Sequence, residues 1–181
     1  MAQAPAGDAI TPLFTAETIA RRVDALARDI AACDLNEPII VAVLKGSFIF
    51  AADLIRALAG HGLHPEIDFI FLGSYGTGTT GGEVKILRDV ESALQDRDVV
   101  IVDDILDSGR TLAFAKDLLE TRGARSVKTC ILLDKQVPRE VDVTPDFAGF
   151  ECPDLFVVGY GMDLAHHYRE LPFIGVIEAD V

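Results

Sequence analysis

The sequence has few cysteines. Only Cys33, Cys130 and Cys152 occur among its 181 residues, an odd number at wide separations. The spacing matches neither a disulfide framework nor a zinc site, which favours a reducing compartment. Cys130 lies in an apolar run, where a free cysteine behaves as a small hydrophobic side chain.

Basic residues are also scarce. Lys and Arg number 16 against 29 Asp and Glu, so the formal net charge at pH 7 is −13. A chain of this charge is repelled by nucleic acid and by anionic membranes, and we expect neither as a partner. Any polyanionic ligand must therefore be held by local groups, such as Mg²⁺, helix-terminal amides and a few basic side chains.

Long hydrophobic runs are absent from the sequence as well. The longest apolar stretch, residues 39–54, is interrupted by Lys45 and Asp53 and cannot span a membrane. The first eight residues contain no basic residue and no apolar core, so they do not predict a signal peptide. Together these features predict a cytoplasmic protein.

The chain does contain enough apolar sequence for one domain. Half of its residues are hydrophobic, and 181 residues suit a single domain with a substantial core. The apolar content has two interpretations: a thick core, or a surface buried between subunits. The second interpretation predicts a homodimer or homotetramer.

Strand and helix patterns alternate along the chain. The predicted helices cover about residues 16–33, 48–58 and 110–122, with Ser47 as the expected N-cap of the second. The predicted strands cover residues 39–43, 64–73, 83–90, 99–102, 127–133, 156–159 and 173–177. This alternation predicts an α/β fold with a mostly parallel sheet, whose ligands bind beyond the carboxyl ends of the strands.

Residues 99–112 are the most informative stretch. Four β-branched residues, 99–102, predict a buried strand that runs into Asp103 and Asp104. Neighbouring buried carboxylates repel each other, so a fold keeps them only with a cation or hydroxyl donors nearby. Residues 107–111, Asp-Ser-Gly-Arg-Thr, then offer hydroxyls and amide N–H groups at a helix start, which together form an anion site. A sugar phosphate fits both features, because its hydroxyls can contact the acids and its phosphate can bind at the anion site.

This pattern resembles the phosphoribosyl pyrophosphate signature of the type I phosphoribosyltransferases. Further motifs are similar, in order and spacing, to those of the hypoxanthine (6-oxopurine) branch of that family. They are Leu44-Lys45-Gly46, Ser74-Tyr75, Lys135, Pro145-Asp146-Phe147, the run from Pro153 to Tyr160, Asp163 and Arg169. The resemblance covers about residues 10–180, nearly the whole chain.

The resemblance implies the type I phosphoribosyltransferase fold. This is a mostly parallel twisted sheet flanked by helices, with a small base-binding elaboration, expected at residues 136–155. A flexible glycine-rich lid is expected at residues 74–84, closing over a reaction that water can divert. The chain is then one domain, residues 1–181, and we expect residues 1–12 to be disordered.

The family transfers 5-phosphoribosyl from phosphoribosyl pyrophosphate to N9 of hypoxanthine or guanine, with Mg²⁺ as cofactor. By resemblance, Asp107 is the catalytic general base near purine N7. Asp103 and Asp104 hold the ribose hydroxyls and, with Asp163, the metal. The implied 5′-phosphate loop is Ser108, Gly109, Arg110 and Thr111, with loop amides as the main contacts.

The resemblance also implies sites for pyrophosphate and for the purine. The implied pyrophosphate-binding residues are Leu44, Lys45, Gly46, Ser74, Tyr75 and Arg169. The implied purine-binding residues are Lys135, Phe156, Val157 and Asp163. Phe156 stacks on the base and Lys135 contacts O6. Because an ammonium donates hydrogen bonds and cannot accept them, Lys135 favours a 6-oxopurine over adenine.

Three alternative functions are considered. A phosphoribosyltransferase that prefers xanthine or guanine remains open. A non-catalytic nucleotide-binding regulator on the same fold is expected to show a basic face, whereas this chain is acidic and keeps Asp107. A dinucleotide-binding module requires Gly-x-Gly-x-x-Gly after its first strand, and residues 41–46 do not supply that motif.

Overall fold

Twelve elements make up the fold in a computed structural model that describes residues 10–75 and 83–177. The helices are α1 (Ala16–Ala31), α2 (Phe48–Gly60) and α3 (Arg110–Thr121). The strands are β1 (Ile10–Phe14), β2 (Ile39–Leu44), β3 (Glu66–Tyr75), β4 (Glu83–Arg88), β5 (Asp98–Leu106), β6 (Ser126–Lys135), β7 (Phe147–Cys152), β8 (Val157–Val158) and β9 (Ile174–Ile177).

The main sheet has six strands in the order β4-β3-β2-β5-β6-β7. All neighbouring pairs are parallel except β3 and β4, which form an antiparallel pair at one edge. A second, antiparallel sheet has the order β1-β9-β8. The mostly parallel α/β sheet predicted from the sequence is confirmed.

Alternate residues of the central strands face two separate cores. Ile40 and Val100 point into a cluster formed with α1 and α2, whereas Ile39 and Val99 point into a cluster formed with α3. Both faces of β2 and β5 are therefore covered by helices. This explains why these strands are continuous apolar runs rather than alternating ones.

The helix ends follow local sequence, with one exception. Thr15 caps α1 by accepting a hydrogen bond from the Thr18 N–H at 3.3 Å, and Gly123 follows the end of α3 with φ of +89°. Ser47 occupies the N-cap position of α2 as predicted, but its side chain makes no capping hydrogen bond. Its hydroxyl donates instead to the Val43 carbonyl at 2.5 Å, where the turn folds back on β2.

Three predicted boundaries need correction. Residues 10–12 were expected to be disordered, but they lie in β1 and pair with β9. The backbone hydrogen-bond partners of β1 lie more than 150 residues later in the chain, so no local pattern indicates the strand. Residues 147–152, which were expected to lie in the small base-binding elaboration and were not predicted as a strand, form the edge strand β7 beside β6. Strand β5 also runs to Leu106, so Asp103 and Asp104 lie within the strand and not after it.

The predicted lid is described only at its ends. Ser74 and Tyr75 end β3 and pair with Val84 and Glu83 of β4, so these positions belong to strands. The rest of the lid, residues 76–82, lies outside the described residues, as do residues 1–9. Within the described ranges, no helix is long and apolar enough to cross a membrane.

Candidate functional site

A cleft of about 510 Å³ opens at the carboxyl ends of β2, β5 and β6. It gathers residues from four separate parts of the chain that the sequence predicted to act together. They are Leu44, Lys45, Gly46, Asp104, Asp107, Lys135, Phe156, Val157, Asp163 and Arg169. A smaller cavity of about 160 Å³ is lined by Asp103, Ser108, Gly109 and Thr111, and it shares Asp107 with the cleft.

The turn after β2 forms one wall of the cleft. The peptide bond between Leu44 and Lys45 is cis. A Cβ on Gly46 would lie 1.8 Å from Oδ2 of Asp104, so only glycine leaves room for that carboxylate. The Lys45 ammonium lies 5.5 Å from the centre of the Phe71 ring, a cation–π contact that the sequence analysis missed.

Asp103 and Asp104 form a buried acidic pair on β5. Oδ1 of Asp103 accepts a hydrogen bond from the Asp104 N–H at 3.0 Å. Burial raises the pKa of both carboxyls, and the charge of Asp104 raises that of Asp103 further. Arg169 acts in the opposite direction on Asp104. This environment favours a cation beside the pair.

Carboxylate oxygens at such a pair suit Mg²⁺. Within residues 10–75 and 83–177, no three Asp, Glu, His or Cys side chains converge into a ready-made metal cluster. Mg²⁺, however, usually takes only one or two carboxylates and completes its octahedron with water and substrate phosphates. The pair Asp103 and Asp104 therefore fits the ion, provided that a phosphorylated ligand is also present.

The loop between β5 and α3 is shaped for close approach of a ligand. Gly109 has φ of +82°, and a Cβ there would lie 2.4 Å from the Val141 carbonyl oxygen. The Glu140 and Val141 N–H groups both donate to the Ser108 carbonyl at 3.1 Å, which braces the loop from outside. Arg110 forms an ion pair with Glu140. The role of the loop's backbone amides as the main contacts of an anion stays a prediction.

Lys135 lies at the far end of the cleft between two carboxylates. Its side chain is only 12% exposed, and its Nζ is 3.4 Å from Oδ2 of Asp107 and 3.4 Å from Oδ1 of Asp154. Phe156 is 56% exposed on the cleft wall, which leaves its ring accessible to a planar ligand. Val157 begins β8 beside it.

Arg169 reaches the cleft from the loop that follows β8. It pairs with Asp163, with 2.6 Å between Nη2 and Oδ1, and donates to the Gly161 carbonyl. The loop packs on the β2 turn, since a Cβ on Gly161 would lie 2.1 Å from the Gly46 carbonyl oxygen. Asp163 thus orients Arg169, and its roles toward a metal and a purine stay predictions.

Ser74 and Tyr75 are described by backbone position alone. They end β3, the neighbour of β2 in the sheet.

Asp154 contacts Lys135 at the end of the cleft, and the sequence analysis gave it no role. The signal was its place two residues before Phe156, but only the fold brings it to Lys135.

Comparisons with known proteins agree with this geometry. Residues 10–165 match the family model of the phosphoribosyl transferase domain. The chain is similar to the hypoxanthine-guanine phosphoribosyltransferase of Bacillus subtilis, with 46% identity over 145 residues, 80% of this chain and 79% of that protein. It is also similar to the bifunctional protein TilS/HprT of Listeria innocua, with 41% identity over 171 residues. That match covers 93% of this chain but only 26% of the bifunctional protein's length.

A solved structure gives the same result in three dimensions. A crystal structure of a hypoxanthine-guanine phosphoribosyltransferase from Bacillus anthracis superimposes with a TM-score of 0.85 at 44% identity. The match covers 92% of this chain and 98% of that chain.

Proposed function

Because the chain belongs to the phosphoribosyltransferase family, and within it to the hypoxanthine branch, we propose that it is a hypoxanthine-guanine phosphoribosyltransferase of purine salvage. It joins N9 of hypoxanthine or guanine to the anomeric carbon of phosphoribosyl pyrophosphate. The products are IMP or GMP and pyrophosphate. The observation that carries this proposal is the placement of an ammonium, Lys135, beside a carboxylate, Asp107, at one end of the cleft.

These two side chains match one edge of a 6-oxopurine. The Lys135 ammonium donates to O6, and the Asp107 carboxylate accepts the proton from N7 as N9 attacks the sugar. Proton acceptance keeps positive charge from building up on the purine while the bond to pyrophosphate breaks. The exposed ring of Phe156 stacks on the base and holds N9 toward the sugar.

The other residues of the site hold the phosphoribosyl group and the leaving group. The loop of Ser108, Gly109 and Thr111 binds the 5′-phosphate, with amides at the start of α3 as donors. Lys45 and Arg169, which line the same cleft, stabilise the charge that develops on the departing pyrophosphate. Asp103 and Asp104 orient the ribose hydroxyls.

We also propose Mg²⁺ as the cofactor, held by the acidic pair on β5 together with substrate oxygens. When bound, it neutralises charge on the pyrophosphate that leaves. The support is the donor set: two adjacent buried carboxylates whose pKa values are raised by burial, so that a bound cation would stabilise their ionised forms. Asp163 is proposed near the same ion.

One experiment separates the remaining substrates. Initial rates with phosphoribosyl pyrophosphate and Mg²⁺ are measured for hypoxanthine, guanine, xanthine and adenine in parallel. We expect adenine to be rejected by at least about a hundredfold in kcat/KM, because its amino group opposes the Lys135 donors and unmatched buried donors cost roughly 1–3 kcal/mol each. Efficient use of xanthine would favour the alternative xanthine-guanine enzyme, and binding without turnover would favour the regulator.

Lys135→Ala is the matched variant for this experiment. We expect it to lose most activity on hypoxanthine and guanine alike, since both present O6. Full activity of the alanine variant on hypoxanthine would refute the base-recognition step. Assembly as a homodimer or homotetramer and a cytoplasmic location stay predictions from composition.

A further inference from the structure

Asp154 shares the ammonium of the purine-recognition lysine. Lys135 Nζ lies at the same distance, 3.4 Å, from one oxygen of Asp107 and one oxygen of Asp154. One cation therefore contacts two carboxylates. Asp107 already has a proposed role toward N7, whereas the proposed reaction assigns no role to Asp154.

The backbone fixes Asp154 relative to Lys135. Lys135 is the register partner of Cys152 where β6 pairs with β7. The Gln136 N–H donates to the Cys152 carbonyl at 2.8 Å, and the Leu155 N–H donates to the Pro153 carbonyl at 2.8 Å. The tight turn that carries Asp154 is therefore bonded directly to the end of the strand that carries Lys135.

Purine binding changes which carboxylate is available as the partner of Lys135. A 6-oxopurine that presents N7–H to Asp107 takes that carboxylate away as a partner for Lys135. Without a second anion, the ammonium would follow Asp107 and compete with N7 for its oxygens. With Asp154 in place, Lys135 keeps a second carboxylate at 3.4 Å as its partner and can stay opposite O6.

We propose that Asp154 is a positioning residue that holds the Lys135 ammonium at the O6 position and leaves Asp107 free for N7. This inference rests on the proposed function, whose base-recognition step it deepens. Asp154 touches neither the reacting atoms nor the phosphoribosyl group in this arrangement, and it acts through Lys135 alone.

The exposure of the groups sets the expected size of the effect. The Asp154 side chain is 76% exposed, so water and salt screen its attraction to Lys135. We therefore expect Asp154→Asn to raise the KM for hypoxanthine about threefold to tenfold, within the range of a screened charge pair at a mostly buried cation. The KM for phosphoribosyl pyrophosphate is expected to stay within about twofold of wild type, because Lys135 lies at the purine end.

Two further variants distinguish positioning from general charge or folding effects. Asp154→Glu keeps the carboxylate, and we expect it to recover part of the lost affinity for hypoxanthine. Glu151→Gln removes one exposed negative charge three residues away, on the outer part of β7, and serves as the matched control. The difference between Asp154→Asn and wild type is expected to shrink as salt is raised from about 50 to 500 mM, because the pair is screened.

The test has an arm that does not require turnover. Calorimetric titration with IMP measures the affinity for a 6-oxopurine nucleotide directly. We expect Asp154→Asn to bind IMP about threefold to tenfold more weakly than wild type. Unchanged hypoxanthine KM and unchanged IMP affinity in that variant, with active wild type, would overturn the role of Asp154 alone. An equal loss in Glu151→Gln would also overturn it. A wild type that neither turns over 6-oxopurines nor binds IMP would overturn the proposed function and this inference together.

Discussion

Asp107 and Lys135 are each constrained by the other. The Asp107 carboxylate lies 3.4 Å from the Lys135 ammonium, and this contact orients both side chains in the cleft. The same contact must loosen before the carboxylate can accept a proton from a ligand. Chemistry at this end of the site therefore depends on which partner each group keeps when a purine arrives.

Asp107→Asn tests the role of the proposed general base. The amide keeps the size of the side chain but cannot accept the N7 proton, so we expect kcat to fall about 10²–10⁴-fold. The melting temperature is expected to change little, because the Asp107 side chain is 57% exposed. Asp117→Asn, an exposed position on α3, is the control. An Asp107 variant within twofold of wild type would remove this residue from the role.

Gly46→Ala tests the close approach of the β2 turn to the acidic pair. The added Cβ would lie 1.8 Å from Oδ2 of Asp104, so the carboxylate must swing away. Because displacements of about 1 Å at a reacting centre can cost about 10²-fold, we expect a loss of at least tenfold in kcat/KM. Gly60→Ala at the end of α2 is the control, since no atom lies within 4 Å of its Cβ position. Equal activity of the Gly46→Ala and Gly60→Ala variants would show that the close approach of Gly46 to Asp104 does not matter for the reaction.

Most single residues of the site could be predicted, but their contacts could not. The order of Lys45, Asp104, Asp107, Lys135 and Arg169 along the chain identifies them through the family pattern. The Lys45–Phe71 contact and the Lys135–Asp154 contact each join residues at least 19 positions apart. Only the packed sheet brings such pairs together, so no local pattern announces them.

Elements with strong local patterns were predicted well at the scale of strands and helices. The buried strands β2, β5 and β6 contain uninterrupted apolar runs of six, four and four residues, and α1 repeats apolar residues at helical spacing. β1 and β7 lack such signals. β1 contains Pro12, and β7 contains Gly149, whose absent side chain admits the Leu132 carbonyl of β6. Their strand character comes from long-range partners.

A single arginine ties α1 to the edge strand of the main sheet. Arg22 donates from Nε to the Gly149 carbonyl at 2.7 Å and from Nη2 to the Ala148 carbonyl at 2.6 Å. These bonds cover part of the open edge of β7, which leads into the segment of Asp154 and Phe156. Arg22 thus links β7 to a helix from the other end of the chain.

Arg22→Met tests this tie between elements. Methionine keeps the apolar stem and removes both donors, and charge-assisted hydrogen bonds contribute about 1.5–3 kcal/mol. We expect a loss of that size in the free energy of unfolding, measured by urea titration. Arg21→Met is the control, because its ion pair with Glu17 is 65% and 82% exposed and contributes less than about 1 kcal/mol. Equal losses in both variants would show that Arg22 adds no specific tie.

The charge of the whole molecule opposes its proposed substrate. A chain of net charge −13 repels a ligand that carries several phosphate charges, and the site concentrates further acids at Asp103 and Asp104. Lys45 and Arg169 line the cleft and offset only part of this field. A divalent cation is the remaining way to balance it.

Turnover is therefore expected to require Mg²⁺. We expect activity to disappear in excess chelator and to return when Mg²⁺ is added beyond the chelator. Circular dichroism under the same conditions is expected to stay constant, because apolar cores on both faces of the main sheet hold the fold together. Full turnover of hypoxanthine in excess chelator would contradict the metal assignment.

One buried carboxylate, Asp98, joins several segments at the end of the main sheet opposite to the cleft. Asp98, at the start of β5, accepts hydrogen bonds from the Asn36 N–H at 2.7 Å, the Ser126 hydroxyl at 2.7 Å and Nε of Arg125 at 3.0 Å. These contacts link the segment before β2, the start of β5 and the start of β6 at the amino end of the sheet. The Arg125 hydrogen bond, followed by the Asn36 and Ser126 bonds, holds the pKa of Asp98 well below its usual range.

Asp98→Asn links this carboxylate to the pH dependence of folding. A carboxyl whose pKa is lower in the folded state than in the unfolded state stabilises the fold above its unfolded pKa of about 3.9. That contribution is lost as the pH falls through the unfolded value toward the folded one. We expect the variant to lose about 1.5–3 kcal/mol in the free energy of unfolding at pH 7, where wild-type Asp98 is ionised. The difference in the free energy of unfolding between wild type and variant is expected to narrow steadily below about pH 4, because protonation of Asp98 then destabilises the wild type in the same way. Urea titrations from pH 7 to pH 3 measure this gap, with Asp142→Asn as an exposed control. A gap that stays constant over the range would show that packing of Asp98, and not its charge, stabilises the amino end of the sheet.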